Sequence, residues 1–373
     1  MGMRRHVMPW MLSAWAMGLG SAAPPSESGS GGVQPPPGEA PAVETAAVPA
    51  VPAASEPSTE LPPPEPPNPW WSLVALDGRD YVTAEDVARF YAFDRRWQDG
   101  PVVWFRSLTS TMRWEVESNT LTINEVRYLL SHRCVQRGGA VLIARVDLVK
   151  LIDPVLRPVY LASAGDFDTV VIDPGHGGLD NGTRGLRGDE KLFTFDLGMR
   201  LRSELEKRGL KVVMTRETDF NPPKIERAMT GNRTDRSIFI SLHFNQEPHR
   251  NSRGLETYVM TPQGEKSTND GSLKADGKFG FDGNFVEEES LALATAVHSQ
   301  LIRTCRCDDR AVRRGRFAVV KYCQRPAILI EGGYISNVED AVRIATAEYR
   351  TLMAQAIADG VVHFRRALGR ATR

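Results

Sequence analysis

The chain has 373 residues, with 46 Lys plus Arg balancing 46 Asp plus Glu. Net charge therefore selects no partner and gives no bulk argument for nucleic-acid binding. The length accommodates two domains and a linker, but fifteen of the 25 prolines fall between Pro24 and Pro69, mixed with Ala, Ser, Gly, Val and Glu. That stretch has too little large apolar surface to offset the entropy of ordering it, and residues 23–69 read as a disordered Pro-rich tether.

The first residues read as an export signal. Met1-Gly2-Met3-Arg4-Arg5-His6 is a short basic region, Val7 to Gly20 is mostly apolar, and Ser21-Ala22-Ala23 supplies small residues for cleavage after Ala22. The apolar run is shorter than the ~20 residues that span a bilayer. Residues 1–22 are therefore expected to be removed, leaving no stable membrane span and placing the protein in the periplasm or cell envelope.

Core-forming residues return at Trp70-Trp71-Ser72-Leu73. Thr83 reads as the cap of a helix with Glu85 and Asp86 in its first turn. Val102–Phe105, Thr120–Ile123 and Val141–Ile143 read as strands, and Arg145 to Leu151 as a short helix ended by Asp153-Pro154. Residues 70–161 thus read as a small α+β accessory module. Tyr81-Val82-Thr83 leading into a helix, with a second such pattern near Val146-Asp147-Leu148, resembles the stalk-type repeats of the copper amine oxidase N-terminal-like family. No copper is implied, because the segment lacks a cluster of metal-binding side chains.

From Asp166 strands alternate with helices. Thr169–Ile172, Leu210–Met214, Ser237–Leu242, Leu255–Met260 and Ala327–Ile330 read as strands. Leu192–Arg208, Lys224–Asp235, Glu287–Ile302 and Glu348 to about Ala367 read as helices. Phe193, Leu197, Leu201 and Leu205 make an apolar stripe stopped by Gly209. The expected fold of residues 166–368 is α/β: a mixed, mostly parallel sheet flanked by helices, with its site at the strand ends. Cys134, Cys305, Cys307 and Cys323 read as packed thiols or as one disulfide among the late cysteines.

His176, in Asp173-Pro174-Gly175-His176-Gly177-Gly178, follows the first of these strands, and His243 and Glu331 each follow another. Glu190 opens a helix, where an acid suits the dipole. Singly, each histidine reads more readily as structural. Glu331, attached to a buried strand, needs a partner or a function to offset its desolvation. Together, two imidazoles and a carboxylate suit a zinc site with an open position, leaving a second carboxylate for proton transfer.

Four ordered blocks carry a resemblance: Ile172 to Gly178, Gly188-Asp189-Glu190-Lys191, Ser241-Leu242-His243-Phe244-Asn245, and Ile330-Glu331-Gly332-Gly333-Tyr334-Ile335-Ser336-Asn337. They resemble the zinc-dependent N-acetylmuramoyl-L-alanine amidase family (type-3 amidases) over roughly Asp166 to Leu368. Gln246, where a small residue is usual, and Tyr334, where Phe is commoner, depart from its pattern. The resemblance implies that His176, Glu190 and His243 hold Zn²⁺ and that Glu331 is the catalytic acid/base, with peptidoglycan as partner and an activator protein as a further candidate. Asp173 and Asn245 are candidates to orient the ligands.

Two alternatives share these residues: a zinc peptidase or carboxypeptidase on stem peptides, and a non-catalytic wall-binding protein. Some family members place an autoinhibitory helix between the second histidine and the glutamate. Here Thr261–Asn284 lacks a helical apolar stripe and reads as a substrate-side loop, with no helical plug expected. Arg303, Arg306, Arg310, Arg313, Arg314, Arg316, Lys321 and Arg325 read as a solvated basic face. His249 and His298 read as spare.

Overall fold

The computed structural model describes residues 71–158, 161, 166–248, 251–269 and 275–369. The segments read as signal (1–22) and tether (23–69), and His249, lie outside the described residues. Among the described residues no helix is long and apolar enough to cross a membrane.

The N-terminal part comprises β1 (Leu73–Leu76), β2 (Arg79–Thr83), α1 (Ala84–Phe90), β3 (Arg95–Asp99), β4 (Val102–Arg106), β5 (Thr111–Glu115), β6 (Thr120–Ile123), β7 (Val126–Leu129), β8 (Val135–Arg137) and β9 (Ala140–Ala144). Thr83 caps α1 as expected, its Oγ1 accepting from the Asp86 N–H at 3.1 Å. Strands β1, β2, β9 and β8 form one antiparallel sheet, and β3 to β7 run as a meander. Strict alternation in the meander buries Val103, Phe105, Met112, Trp114, Leu121, Ile123 and Tyr128 on one face. All five residues of β3 are exposed, so no apolar alternation marks that strand. After β9, α2 (Arg145–Asp147), a π turn (Leu148–Ile152) and α3 (Asp153–Leu156) follow without a break. The expected stop at Asp153-Pro154 does not occur, because Pro154 falls in the first turn of α3, where its missing N–H costs no hydrogen bond.

The rest comprises β10 (Thr169–Pro174), β11 (Arg184–Gly185), β12 (Gly188–Asp189), α4 (Glu190–Lys207), β13 (Lys211–Met214), α5 (Lys224–Arg233), β14 (Ser237–Asn245), β15 (Leu255–Met260), α6 (Glu287–Cys305), β16 (Asp309–Gly315), α7 (Ala318–Lys321), β17 (Ala327–Tyr334), α8 (Val338–Ala345) and α9 (Ala347–Gly369). In the large sheet β13, β10, β14 and β17 are parallel and β15 runs against β17, while β11 and β12 make a separate antiparallel pair. The sheet is thus mixed and mostly parallel in this part, as expected. Val170, Ile172 and Ile240 join one core with α4, α6 and α9, while Val171 and Phe239 join another with α5 and α7. Helices on both faces explain why these strands read as unbroken apolar runs. Asn337 caps α8 by accepting from the N–H groups of Glu339 and Asp340. The Asn-Val-Glu-Asp string is a cap signature that could have found this helix.

The sheet does not end at β16. Val312 of β16 pairs in parallel register with Tyr128 of β7, giving eleven strands in the order β13-β10-β14-β17-β15-β16-β7-β6-β5-β4-β3. One apolar core extends from Val82 to Leu368. The segment read as an accessory module therefore shares both its sheet and its core with the segment after Asp166.

Strand β16 also corrects the reading of the arginines around it as a solvated face. The Arg314 side chain is buried, donating from Nη1 to Ser131 Oγ at 2.6 Å and reaching Asp147 Oδ1 at 3.3 Å. Arg310 and Arg313 reach the buried Glu256 carboxylate. The described part of Thr261–Asn284 packs against the same strand, Thr268 Oγ1 donating to the Arg314 carbonyl and Arg316 donating to Ser267 Oγ. None of its described residues lines the cavity over His176 and Glu331. All four cysteines are free, so no disulfide forms. Burial pushes the Cys134, Cys305 and Cys323 thiols up to about 12, as expected for packed, unreactive groups.

Candidate metal centre

Strand β10 delivers the first histidine. His176 has φ +62, a left-handed conformation uncommon outside glycine, and Gly175 and Gly177 flank it for steric reasons. A Cβ on Gly175 would lie 2.3 Å from His243 Cε1, and one on Gly177 would lie 2.1 Å from the Phe220 carbonyl oxygen. Glu190 is the first residue of α4. Parallel pairing of β14 with β17 sets His243 directly beside Glu331. Both lie inside their strands rather than just after them, because β14 runs on to Asn245 and β17 to Tyr334.

The three expected ligands converge. Glu190 Oε1 is 3.1 Å from His176 Nε2 and 3.0 Å from His243 Nδ1. One donor atom from each of the three lies within 4.8 Å of the others. The imidazole rings stand edge-to-face, their centroids 4.9 Å apart. Glu190 is buried, and the N–H groups of Thr183 and Phe244 donate to its two oxygens at 2.9 and 3.1 Å. Burial pushes the Glu190 carboxyl up, but the two imidazoles outweigh it and hold the group well below the usual range. Burial pulls His176 down, and Glu190 and Asp180 outweigh it in turn.

Asp180 was missed in the sequence, since no periodicity marks a carboxylate in a glycine-rich loop. Its Oδ2 lies 2.9 Å from His176 Nδ1, and its Oδ1 accepts from the Gly182 N–H at 3.0 Å. This carboxylate fixes the ring so that Nε2 faces Glu190. Removing it in Asp180→Ala should lower zinc affinity by roughly 10–100-fold, measured by competition with a chromogenic chelator.

Asp173 works one step removed from the ligands. Its Oδ1 accepts from Thr215 Oγ1 and Arg227 Nη1, and its Oδ2 from Ser241 Oγ. Arg227 also donates to the carbonyls of Pro174 and His176, at 2.9 and 2.8 Å. Asp173 therefore orients the backbone that carries His176, not its ring. Asn245 does not touch the ligands: its Nδ2 donates to Glu256 at 3.0 Å. The spare His298 is buried between Thr257 and Asp309.

Glu331 stands apart from the three. Burial raises its carboxyl well above the usual range, and the nearby Glu190 and Glu256 charges add to that. Its Oε2 is shut off from solvent and has no hydrogen-bond partner among the described residues. All four side chains line one cavity of about 530 Å³, with Lys224, Gln246 and Phe317 also on its wall. The donor set fits zinc: two imidazole nitrogens and one carboxylate oxygen, with a carboxylate behind His176 as such ligands usually have.

A model of the N-acetylmuramoyl-L-alanine amidase family (Amidase_3) matches residues 170–363. The chain belongs to this family. The matched amidase span contains His176, Glu190, His243 and Glu331. The chain is similar to the N-acetylmuramoyl-L-alanine amidase LytC of Bacillus subtilis, at 29% identity over 199 residues, which is 53% of this chain and 36% of LytC. It is similar to the amidase AmiA of Escherichia coli at 25% identity over 274 residues, covering 65% of this chain and 94% of AmiA. The solved amidase AmiC2 of Nostoc punctiforme is 31% identical, with a TM-score of 0.45, over 54% of this chain and 99% of that one. The chain thus spans about a third of the length of LytC.

Proposed function

We propose that this protein hydrolyses the amide bond between the lactyl carboxyl of N-acetylmuramic acid and the L-alanine of the stem peptide in peptidoglycan. In this reading His176, Glu190 and His243 hold Zn²⁺, and Glu331 is the acid/base. The observation that carries it is the convergence of the three donors beside a fourth carboxylate whose Oε2 has no partner. Family membership supplies the bond. The basic and apolar N-terminal run supports export to the envelope, where peptidoglycan lies.

Zinc held there would supply Lewis acidity toward an amide carbonyl and toward water, whose pKa it lowers to about 7. Glu331 supplies the proton path. A carboxylate with a raised pKa is a stronger base near neutral pH. It takes the proton of the attacking water and hands it to the departing L-alanine nitrogen. Glu190, held ionised by the imidazoles, stays a ligand and does not compete for that proton. Two carboxylates in one cavity thus divide the work by environment.

The test is digestion of purified peptidoglycan followed by mass spectrometry of the released fragments. Free stem peptides beginning at L-alanine are expected, and shortened stems still attached to muramic acid would show a peptidase instead. Dialysis against a zinc chelator should lower the rate at least about a hundredfold, and added Zn²⁺ should restore it. Full activity after verified metal removal would refute the assignment.

A further inference from the structure

The outward face of the β3–β7 meander carries a row that the catalytic reading leaves unused. Trp97 pairs with Trp104, Trp104 with Arg113, Arg113 with Thr122, and Thr122 with Arg127, one residue from each of five consecutive strands. The two indoles are parallel to within 2°, their centroids 5.7 Å apart, and Trp97 is 41% exposed. The Arg113 guanidinium lies 5.6 Å from the Trp104 ring centroid. A second row beside it pairs Arg95 with Arg106 and Arg106 with Thr111. Between them opens a cavity of about 280 Å³ lined by Trp104, Thr111, Met112, Arg113, Thr122 and Glu125.

Two features exceed what stabilising an edge hairpin needs. Cross-strand indoles alone would serve that purpose. Arg95, Arg106 and Arg113 are exposed on the same face, and among the described residues none has a carboxylate partner. The hydroxyls of Thr111 and Thr122 sit at the edge of the aromatic surface and make no side-chain hydrogen bond of their own among the described residues.

We infer that this face is a binding platform for the glycan strand of peptidoglycan. The inference rests on the peptidoglycan reading of the metal centre. The C–H face of a pyranose ring is apolar and flat, and it packs on an indole face. Amide and hydroxyl groups at the ring edge reach Thr111 and Thr122. Carboxylates of the attached peptides meet the unpaired guanidiniums, a charge complementarity that a neutral polysaccharide would not use. Six strand steps separate β4 from β17 in the sheet order, on the order of 30 Å at ~4.8 Å each. A polymer can reach both places at once; a single muropeptide cannot. Holding the strand at the platform raises the effective concentration of its other amide bonds at the metal centre.

The experiment uses the full chain with Glu331→Gln, so that bound polymer stays intact, in co-sedimentation with insoluble peptidoglycan. Trp97→Ala combined with Trp104→Ala should weaken binding at least tenfold. Arg113→Glu, which leaves both indoles in place, should do the same and remove the salt dependence it contributes. In otherwise wild-type chains the same changes should slow hydrolysis of insoluble peptidoglycan and leave cleavage of a short soluble muropeptide within twofold. Unchanged sedimentation of the Arg113→Glu chain overturns the platform. So does light scattering that shows a dimer lost in these variants, since the face would then serve a second copy. Failure of every chain, wild type included, to cleave the soluble fragment refutes the amidase reading instead.

Discussion

Glu331→Gln should bind zinc as well as the wild type and lose at least about a hundredfold in hydrolysis, the usual range for removing a general acid/base. The substitution keeps the shape of a side chain on β17 and removes only its ability to take a proton. Its Oε2 makes no hydrogen bond among the described residues, so the loss cannot be assigned to a broken structural contact. A stability measurement separates the two roles further. Burial, then Glu190 and Glu256, raise the Glu331 carboxyl well above the usual range. The zinc-free folded state therefore binds a proton that the unfolded state releases, and stability falls as pH rises from the ordinary carboxylate range through the raised value. Zinc-free Glu331→Gln lacks this loss. At pH 8 it should melt at or above the wild-type temperature, and the gap should close near pH 4. A variant that melts lower at pH 8 and stays active would show Glu331 to be structural.

The second large effect is on folding. Asp147 is fully buried, and burial raises its carboxyl while Arg314 and the N–H groups of Ser131 and His132 oppose that rise. Arg314 is buried as well, and its Nη2 donates to the Lys150 carbonyl at 3.0 Å. Arg314→Met would leave the buried Asp147 charge without its guanidinium partner, at a cost of about 3–5 kcal/mol. The expected readout is a melting temperature lower by on the order of 10 °C. Adding Asp147→Asn should recover a large part of it, because the orphaned charge and not the lost pair carries most of the cost. An unchanged melting point for the single variant would refute this account of the join between β16 and the helical turns after β9.

What was legible in the sequence was what local chemistry dictates. Apolar runs bounded by Gly and Pro gave the catalytic strands, and a spacing of four gave the stripe of Leu197, Leu201 and Leu205 in α4. Residues bound to strand ends and a helix start placed His176, Glu190, His243 and Glu331, and the structure brings these four to one cavity. What stayed hidden depends on partners distant in the chain. Strand β16 looked solvated because Arg314 is buried, and Arg313 half-buried, only when Asp147 and Glu256, each more than fifty residues away, face them. Strand β3 has no apolar alternation, and only β4 beside it makes it a strand. Asp180 and the Glu256 cluster carry no spacing signal. Asn245 was a candidate to orient the ligands, yet Glu256 of β15, two strands away from β14, accepts from its side chain.

The pairing of Val312 with Tyr128 has a consequence for solubility. A sheet ending at β16 would offer a row of unpaired backbone groups on a strand rich in buried side chains, a template for another chain to extend. The meander, joined to β16 at Val312, moves the free edge outward to β3, where Arg95, Arg96 and Asp99 are exposed. Charged side chains on a short terminal strand discourage edge-to-edge growth. The fold is thereby protected from edge-to-edge growth of its own sheet.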